Sequence, residues 1–226
     1  VAAPLRSYLL VHGAWHGGWC WARVVPRLVA AGHRVFAPSL TGLGDRAHLF
    51  GSQVSLATHV EDVLGLIEAE EIEGELVLVG HSYGGNVITG VADALRARIA
   101  HCVFLDAVVP PAGATSWRWA DFNTPEERRL AAVRERGAGV ALPPPPPEAF
   151  GVEAPEDVNW LQRRLRPMPL GTYVGGIVLR NGGSEGLPRT YVAAAMPAYP
   201  PMQTVCERIR ADPSWRWRTI DTGHDM

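Results

Sequence analysis

Short apolar runs alternate along this chain with longer stretches of helical periodicity, and that alternation restricts the fold more than any other feature. SYLLVHG (Ser7–Gly13), HRVFAPSL (His33–Leu40), ELVLVG (Glu75–Gly80) and HCVFLDAVV (His101–Val109) read as buried strands. Between them lie three helical stretches. Trp19–Ala31 is one, with Pro26 as a kink or break and Gly32 at its end. Ser55–Glu71 carries Val60, Val63, Leu64 and Ile67 as one stripe with acids opposite, and Tyr83–Arg98 is the third. RTYVAAA (Arg189–Ala195), a helical Gln203–Arg210 and WRWRTID (Trp215–Asp221) resume the pattern. Strands that are apolar throughout and joined by helices predict an α/β fold, with a mostly parallel sheet covered on both faces.

The alternation breaks between residues 110 and 188. That segment holds helix candidates at Pro125–Arg136 and Pro155–Arg166, three tryptophans (Trp117, Trp119, Trp160) and five consecutive prolines, Pro143–Pro147. The proline run can be neither helix nor central strand and is expected to be an extended surface segment. The expected organisation is a core of residues 1–109 and 189–226, with a cap inserted at 110–188.

Composition narrows the chemistry. Hydrophobic residues make up 47% of the 226, enough for a sizeable core. The formal net charge is -2, which gives no support to a nucleic-acid partner. All 21 basic residues are arginine, so Schiff bases, a phosphate-loop lysine and a Ser-Lys dyad are excluded. Cys20, Cys102 and Cys206 form no disulfide framework and have no zinc-ligand spacing. No apolar run approaches the ~18 residues of a membrane span, and VAAPLR lacks the apolar core of a signal peptide, so the expected location is cytoplasmic.

Three segments carry chemistry. Gly80-His81-Ser82-Tyr83-Gly84 is a G-x-S-x-G placed directly between a strand and a helix. There a strained turn holds a serine Oγ clear of the backbone, and the glycines spare collisions with strand and helix. The new helix turns its N-terminal N–H groups toward that serine. Ser82 is therefore the candidate nucleophile; the alternative is a glycine-rich turn with a structural serine. His12-Gly13-Ala14-Trp15-His16-Gly17-Gly18 follows the first strand. Its Ala14 N–H, with that of Tyr83, is the candidate oxyanion hole. His12 and His16 stand four apart, but in a glycine-rich loop rather than on a helix, which argues against a metal. Asp221-Thr222-Gly223-His224-Asp225 follows the last strand, and His224 is the candidate general base. His81 is expected to point away from the serine. Trp15, His12, Trp117 and Trp160 are candidates for lining the substrate pocket; for the cap tryptophans the alternative is simple packing.

Taken together, VHGAWHGGWCW (Val11–Trp21), AGHRVFAPSLTGLGDRAHL (Ala31–Leu49), LVLVGHSYGG (Leu76–Gly85) and DTGHD (Asp221–Asp225) resemble the α/β-hydrolase superfamily. The branch is similar to plant methylesterases and hydroxynitrile lyases and to bacterial pyrethroid-hydrolase-like carboxylesterases. The resemblance implies a serine nucleophile at Ser82, a base at His224, oxyanion donors at Ala14 and Tyr83, a helical cap and no cofactor. It also implies a final helix after His224, so the chain is expected to be a cropped one.

Two departures stand out. The family's acid usually follows the next-to-last strand, near Ala193–Tyr199, where this chain has no carboxylate. Asp106, at the end of the preceding strand, is the candidate in its place. A structural role for Asp106, or a Ser-His dyad completed by water, is the alternative; Asp221 and Asp225 are too local to His224. The lyases' threonine and lysine are replaced by Gly13 and Asp225. A lyase that holds cyanide with lysine is therefore disfavoured. The expectation is a carboxylesterase-type serine hydrolase that cleaves a hydrophobic small-molecule ester through an acyl-enzyme. A non-hydrolytic lyase or biosynthetic enzyme, and a receptor-like binding module, are the alternatives.

Overall fold

The computed structural model describes residues 6–122 and 126–226. The chain starts with β1 (Ser7–Val11), a 3₁₀ turn at Gly18–Trp21, α1 (Val25–Ala30) and β2 (Arg34–Phe36). Pro26 therefore sits in the first turn of a short helix rather than kinking a long one, where its missing N–H is not needed. α2 (Leu56–Ala69), β3 (Leu76–His81), α3 (Gly84–Ala94) and β4 (Ile99–Leu105) follow. Ser55 and Thr58 cap α2 reciprocally, which fixes where that helix starts.

Next come β5 (Ser116–Arg118), α4 (Glu126–Arg136), β6 (Ala141–Leu142), α5 (Pro155–Arg164), β7 (Met168–Pro169), α6 (Gly171–Val174) and β8 (Gly176–Val178). The chain closes with β9 (Arg189–Ala194), α7 (Gln203–Arg210) and β10 (Arg216–Ile220). The sequence-predicted helix start at Pro125 lies outside the described residues.

β10-β9-β4-β3-β1-β2 is the strand order of one six-stranded sheet, parallel at every pairing. All of β3 is buried, as a central strand covered on both faces should be. On one face Leu9, Leu78, Cys102, Phe104 and Tyr191 join a core shared with α2, α3 and α7. On the other, Leu10, Val77 and Val79 pack with Trp21 under α1. Toward β10 this second face opens: Val103, Leu105 and Val192 are half-buried and Ile220 is exposed.

Among the described residues, none from 110 to 188 belongs to that sheet. β5 pairs antiparallel with β8, and β6 with β7. The proline run departs from the expected extended surface segment: Pro143–Pro146 lie outside helix and strand but are largely half-buried, and Pro147 is buried and opens a 3₁₀ turn over Pro147–Phe150. It continues from β6, whose Leu142 carbonyl accepts the Trp15 indole N–H at 3.0 Å. This ties the inserted segment to the loop after β1.

Candidate active site

β1 and β3 are neighbours, yet the chain leaves them in opposite directions, toward β2 and toward β4. Connections that diverge in this way leave a crevice at the carboxyl ends of the strands, where α/β sheets bind ligands. The loops after β1 and β3 both enter it.

Ser82 has φ +51°, a left-handed conformation that a residue with a Cβ adopts at a cost of about 1–2 kcal/mol. The fold holds it there by three backbone bonds. Ser82 N–H donates to Leu105 O at 3.1 Å, and Ser82 O accepts from Gly85 N–H at 3.1 Å and Val108 N–H at 3.0 Å. A Cβ on Gly84 would stand 2.5 Å from Val11 O, and one on Gly85 2.1 Å from Val108 O. Only glycine lets α3 start this close to β1 and to the segment after β4.

His224 reaches the serine from the far end of the chain. Its Nε2 is 2.9 Å from Ser82 Oγ and its Nδ1 is 2.7 Å from Asp106 Oδ2. His224 and Asp106 are each only 1% exposed. Asp106 follows β4 with φ +39°, its N–H donating to Val192 O at 2.8 Å. Its second oxygen faces the Ala194 N–H at 3.4 Å. The Tyr199 ring stacks on the His224 imidazole at 4.0 Å, with Phe150 at 6.0 Å. The side chain that completes the constellation thus comes from β4, although the chain next to β9 carries no acid.

The loop after β1 is clamped by its own histidines. His12 Nδ1–H donates to Gly13 O at 2.8 Å, and His12 Nε2 accepts the Leu40 N–H at 3.0 Å. Complete burial lowers the His12 pKa to about 3, so it is neutral. Its grip on Gly13 O fixes the peptide plane whose other end is the Ala14 N–H. His12 thus shapes the loop and cannot line a substrate pocket, contrary to the sequence expectation: both ring nitrogens are bound and none of the residue is exposed. Among the described residues, neither the Ala14 nor the Tyr83 N–H donates to a loop or turn carbonyl. The Tyr83 hydroxyl is anchored at 3.0 Å on His59, whose pKa burial lowers to about 4.

His81 also departs from expectation. Instead of pointing away, it donates from Nε2 to the His224 carbonyl at 2.9 Å. Burial, then the neighbouring His224, lowers its pKa to about 3. His16 Nε2 lies 3.0 Å from Asp225 Oδ2. His81, His224 and Asp225 are the group of possible metal-ligating side chains found among the described residues. Both nitrogens of His224 are already taken by Ser82 and Asp106, so the group is a hydrogen-bonded network rather than an open ligand set.

The aromatic candidates divide. Trp15 is 7% exposed and packs on Trp119 and Phe150 beside the serine. Trp117 is buried and donates to Asn86 Oδ1 at 2.7 Å, supporting α3 from behind. Trp160 packs edge-on against Trp19 at 4.9 Å, flanked by Arg23 and Arg164. These contacts match the packing alternative for the two cap tryptophans. Trp119, Phe150 and Tyr199 surround the site instead. Sequence spacing gave no sign of Phe150 or Tyr199, since Phe150 arrives on a single 3₁₀ turn and Tyr199 on an irregular segment. A cleft of about 220 Å³ opens between Trp15 and Tyr199 on one side and α4 and the proline run on the other. A larger cavity, about 400 Å³, lies between α3 and α7 and holds none of these site residues.

A six-stranded parallel sheet with a strained serine after β3, and a histidine and a carboxylate converging on it, defines an α/β hydrolase. The chain belongs to that family: the model described as "Alpha/beta hydrolase family" matches residues 8–226. Among curated proteins it is 41% identical to a carbendazim hydrolyzing esterase of Nocardioides sp. over 229 aligned residues, covering 98% of this chain and 93% of that one. It is 36% identical to a pyrethroid hydrolase of Sphingobium wenxiniae over 175 residues, 76% of this chain and 57% of that one. Among solved structures, an extracellular α/β-hydrolase from a Paenibacillus species superposes with a TM-score of 0.79 at 22% identity, covering 99% and 92% of the two chains. At that identity the structural likeness speaks for the fold.

Proposed function

We propose that this protein is a carboxylesterase-type serine hydrolase that cleaves a small, largely apolar carboxylic ester through an acyl-enzyme. The carrying observation is the line Ser82 Oγ–His224 Nε2–His224 Nδ1–Asp106 Oδ2, with separations of 2.9 and 2.7 Å. In this reading His224 accepts the Ser82 proton as Oγ attacks the carbonyl, and Asp106 stabilises the imidazolium. The N–H groups of Ala14 and Tyr83 receive the oxyanion; one such donor is typically worth about 10²–10³ in kcat. His224 then protonates the leaving alcohol. Water, deprotonated by His224, attacks the acyl-serine, and the acid leaves with Ser82 restored.

Residues 110–188 act as the cap in this reading, with Trp119 and Phe150 as its apolar contribution to the pocket. The likeness to a carbendazim hydrolyzing esterase and to a pyrethroid hydrolase supports ester hydrolysis. The position after His224 is an acid held by His16, not a cation, which supports hydrolysis over a lyase reaction that needs positive charge there. The three free cysteines fit a reducing cytoplasmic setting, and no helix among the described residues is long and apolar enough to cross a membrane.

The test is hydrolysis of nitrophenyl esters of graded acyl length, with Ser82→Ala alongside. Turnover by the wild type, lost in Ser82→Ala together with labelling by a fluorophosphonate, is expected. Equal ester turnover in the two proteins would sink the reading.

A further inference from the structure

Beside the proposed catalytic groups lies a buried pair that the ester chemistry does not use. His16 stands two residues past Ala14, and Asp225 one residue past His224. Their side chains are 4% and 10% exposed and meet at 3.0 Å, Nε2 to Oδ2. The other ring nitrogen, His16 Nδ1, is 2.7 Å from the Ala14 carbonyl. Both partners are acceptors, and an imidazole donates from both nitrogens only as the cation. The charge agrees with the geometry. Burial opposes the His16 cation, but the charge and hydrogen bond of Asp225 outweigh it and raise its pKa. Burial likewise opposes the Asp225 anion, and His16 overcomes this and holds its pKa down.

The geometry points to a positioning strap: the His16 imidazolium clasps the oxyanion loop through the Ala14 carbonyl and the base loop through Asp225, fixing the Ala14 N–H against His224. The strap rests on the serine-hydrolase reading above. It directly bonds two loops that leave strands far apart in the sheet, one after β1 and the other after β10, while Phe150 packs on both His16 and His224 beside it. A buried ion pair is a poor source of stability, because desolvation offsets much of its attraction. This one is also incompletely satisfied: Asp225 Oδ1 is buried without a hydrogen bond, with His81 Nε2 3.8 Å away. Registry between the two loops is what the pair supplies. His81 on the His224 carbonyl and Asp225 N–H on Phe150 O, at 2.9 and 3.3 Å, steady the base loop around it.

His16 and Asp225 are positioning residues, so their loss should lower kcat and leave KM alone. Asp225→Ala releases the strap. A displaced oxyanion donor forfeits part of its worth, and a loss of about tenfold or more in kcat is expected, with KM changed by less than about twofold. Asp225→Asn is the conservative variant. Its amide can donate to His16 Nε2 while Nδ1–H stays on Ala14 O, so it should restore most of kcat without the charge. If Asp225→Ala does not fold, His16→Gln replaces it, because a Gln amide can hold Ala14 O or Asp225 but not both, and the same kcat loss is expected. Nitrophenyl-ester kinetics and the rate of fluorophosphonate labelling are the readouts, with Tm measured alongside.

Unchanged kcat in Asp225→Ala, or in His16→Gln when that variant stands in, overturns the strap. So does a change confined to KM, or an Asp225→Asn protein as impaired as Asp225→Ala. A wild type that neither turns over esters nor labels at Ser82 refutes instead the hydrolase reading, and the strap with it.

Discussion

Asp106→Asn is the substitution that most directly probes the proposed charge arrangement. It keeps the size of a side chain only 1% exposed, so the surrounding packing should survive. What changes is the pattern of donors and acceptors. The two carboxylate oxygens of Asp106 face two N–H groups, His224 Nδ1–H at 2.7 Å and Ala194 N–H at 3.4 Å. An amide offers one acceptor and one donor. If its oxygen serves Ala194, its NH₂ faces His224 Nδ1, the imidazole proton moves to Nε2, and Nε2 can no longer take the proton of Ser82. If its oxygen serves His224, two N–H donors confront each other at Ala194, and the imidazolium still loses its counter-charge. The first arrangement corresponds to a loss of about 10⁴ in kcat, the effect of the same change in a Ser-His-Asp protease. The 3.4 Å contact is the weaker of the two, so some molecules retain the useful tautomer. The expected fall in kcat is therefore at least about 100-fold, or ~2.7 kcal/mol in the barrier. The assay is nitrophenyl-ester hydrolysis near neutral pH, with thermal unfolding to show that the variant is folded. A folded Asp106→Asn protein within tenfold of wild-type kcat would refute the role assigned to Asp106.

Other outcomes follow from the same geometry. His12, His59 and His81 are held neutral, with pKa values of about 3, 4 and 3. In the unfolded chain they take up protons near pH 6.5, so stability falls as pH drops below that value, by about 1.4 kcal/mol per unit and per residue until the folded pKa is reached. His16 has a raised pKa and acts the other way, its contribution being lost as pH rises. Urea unfolding at about pH 7 and pH 5 should show a drop of several kcal/mol, and a flat profile would contradict the burial of neutral imidazoles. Trp117→Phe removes the 2.7 Å bond to Asn86 and should lower stability by about 1–2 kcal/mol while leaving KM unchanged; a KM effect would return Trp117 to the substrate pocket. Tyr199→Ala strips the ring stacked at 4.0 Å on His224 and opens the cleft beside it. For long-chain esters kcat/KM should fall about tenfold, against little change in Tm; an unaltered chain-length profile would exclude Tyr199 from the pocket.

The sequence by itself determined the α/β fold and the parallel sheet, because buried strands and amphipathic helices leave local periodicity. It determined the position of Ser82 for a similar reason. The turn that exposes a nucleophile needs glycines at fixed offsets, and the 2.5 and 2.1 Å approaches at Gly84 and Gly85 are the physical counterpart of that spacing. The sequence also marked His224 and Asp106 as candidates to act with Ser82, but only the tertiary structure brings them together on it. Asp106 and His224 are separated by 118 positions, and their contact is a consequence of β4 and the loop after β10 ending on the same side of the sheet. The same folding turned His12 from a pocket candidate into a backbone clamp and brought His81 back toward His224. It drew Phe150, from a short 3₁₀ turn, and Tyr199, from an irregular segment, onto the imidazole and joined His16 to Asp225 across the two ends of the chain. None of these contacts has a local period or motif to announce it. Each depends on burial and on side-chain direction, which are settled only when the loops of distant strands share one crevice.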